Sequence, residues 1–136
     1  MDVLFLDANI LFSAAYRPDA GLRRLWRLPD VRMITSVYAA EEARRNLSHP
    51  RQREDLEELL DSVEVVATAA PITDRPLYST IKLPAKDRPI LLAAISVGAT
   101  HLLAGDLQHF GPYYGERIEG ILILPPGSCL SSRRTG

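Results

Sequence analysis

The sequence predicts an α/β fold of three layers, with a central parallel sheet covered by helices on both faces. Three observations carry this expectation. Short, continuous apolar runs recur along the chain and read as strands buried on both faces. Between them lie stretches with helical spacing and helix-start residues, so strands and helices alternate, which implies right-handed βαβ crossovers. The 136 residues, 46% hydrophobic and 24% charged, fit one domain with a real core. Residues 1–136 therefore read as a single domain with its core in 2–125.

Each element has its own justification. Residues 2–6 contain Val3-Leu4-Phe5-Leu6 and form the first strand. A helical stretch follows from about residue 10, breaks around Pro18-Asp19 and resumes over 21–28, before a turn at Pro29-Asp30. Residues 31–35 are the second strand. Ser36 stands where an N-cap belongs, and 37–47 reads as a helix ended by Ser48-His49-Pro50. Residues 51–62 form a charged helix with Leu56, Leu59 and Leu60 inside, and 63–67 the third strand. Residues 68–86 show no clear period; 73–80 fit a loop over a site or a surface connection equally. Asp87-Arg88-Pro89 opens an apolar helix over 90–97, with proline tolerated in the first turn and Gly98 as the terminating glycine. Residues 100–104 and 120–124 are the fourth and fifth strands. The polar tail, 131–136, is expected to be disordered.

Composition excludes several classes. The net charge is −1, so no global field draws the chain to nucleic acid or anionic membrane. All but two of the 16 basic residues are arginine, which suits phosphate ligands; a GC-rich genome is the simpler explanation. Cys129 is the only cysteine, so there is no intramolecular disulfide and no zinc-type spacing. The longest apolar stretch, 90–104, is interrupted by polar residues and is too short to span a bilayer. With an acidic second residue and no basic n-region at the start, the expectation is a cytoplasmic protein without a membrane partner.

The informative residues are acids at element ends. Asp7 closes the first strand and Asp106 follows the fourth. In a parallel sheet ordered 3-2-1-4-5 these strands are neighbours at the switch point, where ligands bind. Two carboxylates that close are costly unless a proton or cation separates them. Glu41 and Glu42 lie on the helix after strand two, and Asp87 at the start of the apolar helix. Carboxylates with few histidines select hard cations, Mg²⁺ or Mn²⁺. Each acid also has an ordinary reading. Asp7 and Asp87 make good N-caps, Asp106 a turn residue, and Glu41 an exposed pair with Arg45. His49 and His109 read as solvated loop residues, and Trp26 and Tyr38 as core or interface.

Four stretches, FLDANILFSA, TSVYAAEEARRNL, KDRPILLAAISVGATHLLAGD and LQHF, together resemble a PIN domain of the small bacterial toxin–antitoxin type. The resemblance runs from residue 2 to about 125. It implies a 3-2-1-4-5 sheet, a metal-dependent ribonuclease activity, an RNA substrate, an antitoxin protein as partner and a homodimer. Carried over by position, Asp7, Glu42, Asp87 and Asp106 would hold Mg²⁺ or Mn²⁺ and form the catalytic set, with Glu42 chosen over Glu41 on this ground. Asn9, Arg44 and Arg88 would meet substrate, although a solvated face serves the two arginines equally. Leu22, Leu25 and Trp26 are candidates for the dimer patch. Two departures stand out: Ala104 where the family has Ser or Thr, and Gln108 where it often has a further Asp. They motivate an alternative, a weakened PIN domain that binds RNA or protein without cleaving. A dehalogenase-type phosphatase is set aside, because Asn9 stands where that fold needs an acid and Lys82 and Lys86 fit its core poorly.

Overall fold

A computed structural model describes residues 1–17, 21–67, 87–105 and 107–132. The break at Pro18-Asp19, the stretch 68–86 with Lys82 and Lys86, Asp106 itself and the tail 133–136 lie outside the described residues. The sheet has six strands in the order β3-β2-β1-β4-β6-β5. Strand β1 (Asp2–Leu6) is central, and its Leu4, Phe5 and Leu6 are wholly buried. It pairs in parallel with β2 (Val31–Ser36) on one side and β4 (His101–Leu103) on the other. Strand β3 (Glu64–Val66) lies parallel beside β2, and β6 (Ile121–Leu124) parallel beside β4.

The five expected strands thus take their expected order, with β6 in fifth place. The addition is β5 (Arg117–Ile118), an edge strand antiparallel to β6. It exists because Glu119 and Gly120 both adopt positive φ, 52° and 83°, in a two-residue hairpin loop whose twist matches the strands. The usual Asn-Gly or Asp-Gly signal is absent, which hid the hairpin.

Helices flank the sheet. Helix α1 (Ala8–Tyr16) leaves the end of β1, and a 3₁₀ helix (Leu22–Arg27) follows where a resumed α-helix was expected. Helix α2 (Val37–Asn46) starts at Ser36, whose Oγ accepts the Ala39 N–H at 3.1 Å. Its inner face is Ala39, Ala40 and Ala43, with Leu47 just beyond; Val37, at its start, is 43% exposed. Helix α3 (Pro50–Leu60) buries Leu56 and Leu60. Helix α4 (Arg88–Ser96) is followed by Gly98 with φ at 70°. Short α5 (Leu107–Phe110) and a 3₁₀ turn (Gly111–Tyr113) lead to the hairpin. Helix α6 (Pro126–Ser132) corrects the expected disorder at 131–132, since buried Cys129 anchors it to the core.

The proposed dimer patch is also revised. Leu25 is wholly buried, Leu22 and Trp26 pack against the same core, and Trp26 Nε1 donates to the Leu59 carbonyl at 2.9 Å. These side chains are used within one copy of the chain, joining the 3₁₀ helix to α3.

Candidate active site

Asp7 sits where β1 ends and α1 begins. Its backbone N–H donates to the Leu103 carbonyl at 3.0 Å, so the end of β1 is tied to the end of β4. Its carboxylate Oδ1 accepts the Ala8 N–H at 2.7 Å, and the residue is 3% exposed. From β1 the chain crosses to β2 and β3 on one side, then returns to β4 on the other. The strand ends at β1 and β4 are therefore the switch point of the sheet. Gly105, just past β4, lies against Asn9: a Cβ built there would be 3.6 Å from the Asn9 Cβ.

Two helices bring further acids to this edge. Glu42 is half-buried on α2. Asp87, 6% exposed, precedes α4, and its carbonyl accepts the Ile90 N–H at 3.2 Å. Asp7, Asn9, Phe12, Glu42, Asn46 and Asp87, with Ala8, line one cavity of about 120 Å³. Phe12 supplies its apolar wall and stacks on Tyr16 at a ring separation of 5.4 Å.

Asp87 holds the N-cap position of α4, yet its side chain makes no capping hydrogen bond. The capping reading of this residue is thereby corrected. Its Oδ2 lies 3.1 Å from His109 Nδ1 on α5. That separation is within hydrogen-bond range, but the ring N–H is not aligned on the oxygen, so the contact is best described as electrostatic. Tyr38, near the start of α2, feels the same cluster. Burial raises its pKa above the ordinary 10.0, and the charges of Glu42, Asp87 and Asp7 raise it further against the opposing pull of Arg45.

No family model and no curated protein matches the sequence, whereas solved structures match its fold closely. A chain of the VapBC2 complex of Rickettsia felis, bound to a DNA fragment from its promoter, superposes with a TM-score of 0.70 at 16% identity. The match covers 90% of this chain and 98% of that one. FitAcB of Neisseria gonorrhoeae gives 0.58 at 18% identity, covering 91% and 98%. VapC20 of Mycobacterium tuberculosis, a toxin that cleaves the sarcin–ricin loop, gives 0.57 at 14% identity, covering 85% and 97%. The fold is that of the PIN domains.

Within the PIN fold, three of the four expected acids, Asp7, Glu42 and Asp87, share one cavity with Asn9. Asp106, the fourth, lies outside the described residues. Arg44 does not join them. Its Nε and Nη2 hold both oxygens of Glu57 at 2.8 and 3.0 Å, and Nη1 reaches Glu41 at 3.4 Å. Arg44 thus forms an α2–α3 clasp, and Glu41 pairs with Arg44 rather than with Arg45. Arg88 is half-buried at the first position of α4 and is not among the cavity-lining residues.

The cavity also includes residues that sequence reasoning passed over. Asn46 follows Glu42 by one helical turn, a spacing that could have been read. Phe12 is likewise one turn beyond Asn9. His109, which is not among the cavity-lining residues, carried no such signal, because its contact with Asp87 joins two separate elements. The donor set suits a hard divalent cation in kind: the cavity's carboxylates and amides offer oxygen, with no sulfur. Among the described residues, no three Asp, Glu, His or Cys side chains already converge as a metal-ligand group. A small ion that keeps several of its own waters needs only one or two direct carboxylates.

Proposed function

We propose that this protein is a Mg²⁺- or Mn²⁺-dependent endoribonuclease and the toxin of a toxin–antitoxin pair. The observation that carries the reading is the cavity at the switch point, which Asp7, Glu42 and Asp87 line together at the ends of a PIN-type sheet. Buried carboxylates in one small cavity repel each other, and a divalent cation relieves that repulsion. When bound, the ion would offset charge on a scissile phosphate and acidify an attacking water.

The chain's own residues do the remaining work. Asp7 and Asp106 would ligate directly, and Glu42 and Asp87 directly or through water. Asn9, exposed at the cavity mouth, would donate its amide to a phosphate oxygen. Phe12 would restrict water access along one wall. Attack by water of this kind leaves a 5′-phosphate and a 3′-hydroxyl. The structural neighbours support the assignment, since VapC20 cleaves RNA and others are toxin–antitoxin complexes.

The test is cleavage of single-stranded RNA by the purified chain with Mn²⁺. Wild type is expected to cleave, and Asp7→Asn to lose activity by about 100-fold or more, as expected when a group positioning a catalytic ion is neutralised. A second reading, binding without cleavage, draws on Ala104. It is wholly buried, offers no hydroxyl, and its carbonyl accepts the Tyr114 OH at 2.6 Å. Metal and RNA binding without cleavage across varied substrates would establish that reading instead.

A further inference from the structure

A second, open groove of about 520 Å³ lies further along α1. Tyr16, at the end of that helix, lines it together with His49 and Arg51, where α2 passes into α3. Its volume falls in the range that admits a small organic group, ~300–1,000 Å³. The acid cavity and this groove share two supports. Phe12, in the wall of the first, stacks on Tyr16, in the wall of the second, with ring planes 21° apart. Asn46, in the first, shortly precedes His49, and Arg53 Nε fixes the junction between them by donating to the Leu47 carbonyl at 2.6 Å. From Asn9 to Tyr16 the helix rises ~10 Å, about two or three nucleotides of a single strand that advances at least ~3.4 Å for each.

The lining divides into groups already engaged and groups left to a ligand. Arg23 is engaged: its Nε donates to the Ala14 carbonyl at 2.8 Å and its Nη2 to Asp55 Oδ2 at 3.2 Å, so the Asp55 charge is offset within the wall. Arg51 is held far less firmly. Its Nε is 3.8 Å from Asp55 Oδ1, beyond hydrogen-bond range, and its side chain is 78% exposed. The planar fork of its guanidinium can therefore meet a phosphate. Glu58, the other acid at the groove, is two turns further along α3, ~10 Å from Arg51. His49 Nδ1 accepts the Arg51 backbone N–H at 3.1 Å, so the neutral ring carries its proton on Nε2 and offers a second donor. Phe12 covers one face of the Tyr16 ring, and Tyr16 is still 48% exposed. An aromatic ring beside a cationic side chain is the combination that holds single-stranded nucleic acid, by stacking a base and neutralising a phosphate. Ala15 and Tyr16 alone give the lining an apolar part, too little for the hydrophobic face of a partner helix.

We infer that this groove is a nucleotide subsite for single-stranded RNA: a base stacks on Tyr16 and a neighbouring phosphate binds Arg51, with His49 Nε2 as an accessory donor, while the scissile phosphate lies in the cavity lined by Asp7, Glu42 and Asp87. The inference rests on the proposed reading of RNA at that cavity, and it adds the residues that hold the strand beside the cut. Stacking accepts any base and Arg51 meets only phosphate, so the subsite contributes affinity rather than sequence preference. It also discriminates by strandedness, because a base paired within a duplex is already stacked on its neighbours and is not free to lie on Tyr16.

The experiment compares full-length wild type, Tyr16→Ala, Tyr16→Trp and Arg51→Ala on a short fluorescent oligouridylate, alone and annealed to its oligoadenylate complement. Anisotropy across a salt series, with Ca²⁺ as the divalent ion, reads binding; cleavage with Mn²⁺ reads kcat and KM. Tyr16→Ala is expected to weaken single-strand binding about tenfold and to raise KM to match, with kcat little changed and the salt dependence as in wild type. Tyr16→Trp should recover both losses, since indole stacks as well as phenol. Arg51→Ala should lower the slope of log affinity against log salt by ~0.7, the share of one phosphate on a single strand. The duplex should bind wild type and Tyr16→Ala alike. If Tyr16→Ala fails to fold, Tyr16→Leu takes its place, keeping apolar bulk without the aromatic face. Wild-type affinity, KM and salt slope in Tyr16→Ala and Arg51→Ala, with RNA still cleaved, would overturn the subsite, leave the ribonuclease reading standing and give the groove to a protein partner. The expected losses of binding, with no cleavage even by wild type, would support the subsite and overturn the ribonuclease reading. Absence of RNA binding by wild type would overturn both.

Discussion

Asp7 combines two roles in one carboxylate: it caps α1 through Oδ1 and it lines the cavity. Substitution separates them. In Asp7→Asn the amide oxygen still accepts the Ala8 N–H, and asparagine caps helices as well as aspartate. Its stability without metal should therefore match wild type, while Mn²⁺ binding falls tenfold or more, at least ~1.4 kcal/mol. Asp7→Ala should lose the same affinity and also about 1 kcal/mol of stability with the cap. Denaturant melts and calorimetry check both, and an Asn variant as unstable as the Ala variant would show that the charge is structural. Tyr38 reports on the same cluster from outside it. Burial and three neighbouring carboxylates disfavour its tyrosinate, so its hydroxyl should titrate above 10.0. Removing one negative charge with Asp87→Asn lowers that cost, so an ultraviolet titration should move Tyr38 back towards the ordinary value. No movement would mean that the Asp87 charge does not contribute to the shift.

At the scale of elements, the end of α4 is the clearest link from one residue type to one geometry. Gly98 N–H donates to the Ile95 carbonyl and Ala99 N–H to the Ala94 carbonyl, each at 3.1 Å, closing the helix with its glycine in the left-handed region. A Cβ at Gly98 would meet no other atom within 4 Å, so only backbone strain opposes a side chain there. Gly98→Ala should cost roughly 1–2 kcal/mol in a thermal or denaturant melt. The Arg44–Glu57 clasp between α2 and α3 has its own pH dependence. Hydrogen bonding to Arg44 holds the Glu57 carboxyl below the ordinary 4.5, with the Arg44 charge adding to this against burial. A depressed carboxyl pKa stabilises the fold above the unfolded value, and that contribution disappears as pH falls through the folded value. Glu57→Gln should remove this part of the acid sensitivity, by well under about 1 kcal/mol because both side chains are largely exposed. The sheet was legible because its central strands carry short buried apolar runs, Leu4-Phe5-Leu6 in β1, Met33-Ile34 in β2 and Leu102-Leu103 in β4. Strand β5 was not, being two residues long beside a Glu-Gly loop. In the site, acids at strand and helix ends were legible by position. The fates of Arg44, His109 and Asp87 were not, because each is decided by a partner on a different element.

For the whole molecule, the resemblance to PIN domains predicts a dimer, and the structure narrows the apolar surface left for one. Leu25 and Trp26 are committed to the core, whereas Tyr16 and Val65 expose 48% and 41% of their surface. Sedimentation velocity at about tens of micromolar should show a dimer, a range suited to an interface of standard size. Trp26→Ala should lower stability without dissociating it; monomer alone in wild type would count against the assembly. The pairing of β1 with β4 has a consequence in time as well as in space. Thr100 grips Val3 from both directions, its Oγ1 accepting the Val3 N–H at 2.8 Å and donating to the Val3 carbonyl at 3.0 Å, across 97 positions of sequence. Closing so long a loop is slow compared with forming local helices. During translation, α1, β2 and α2 can assemble while β1 still lacks its partner on one side. The first strand must wait, with that edge open, until the fourth emerges, and the cavity cannot be complete before Asp87 and α4, which just precede that strand, have been made. A nascent chain therefore carries Asp7 and Glu42 well before it carries a finished site, so synthesis itself delays any activity the protein has.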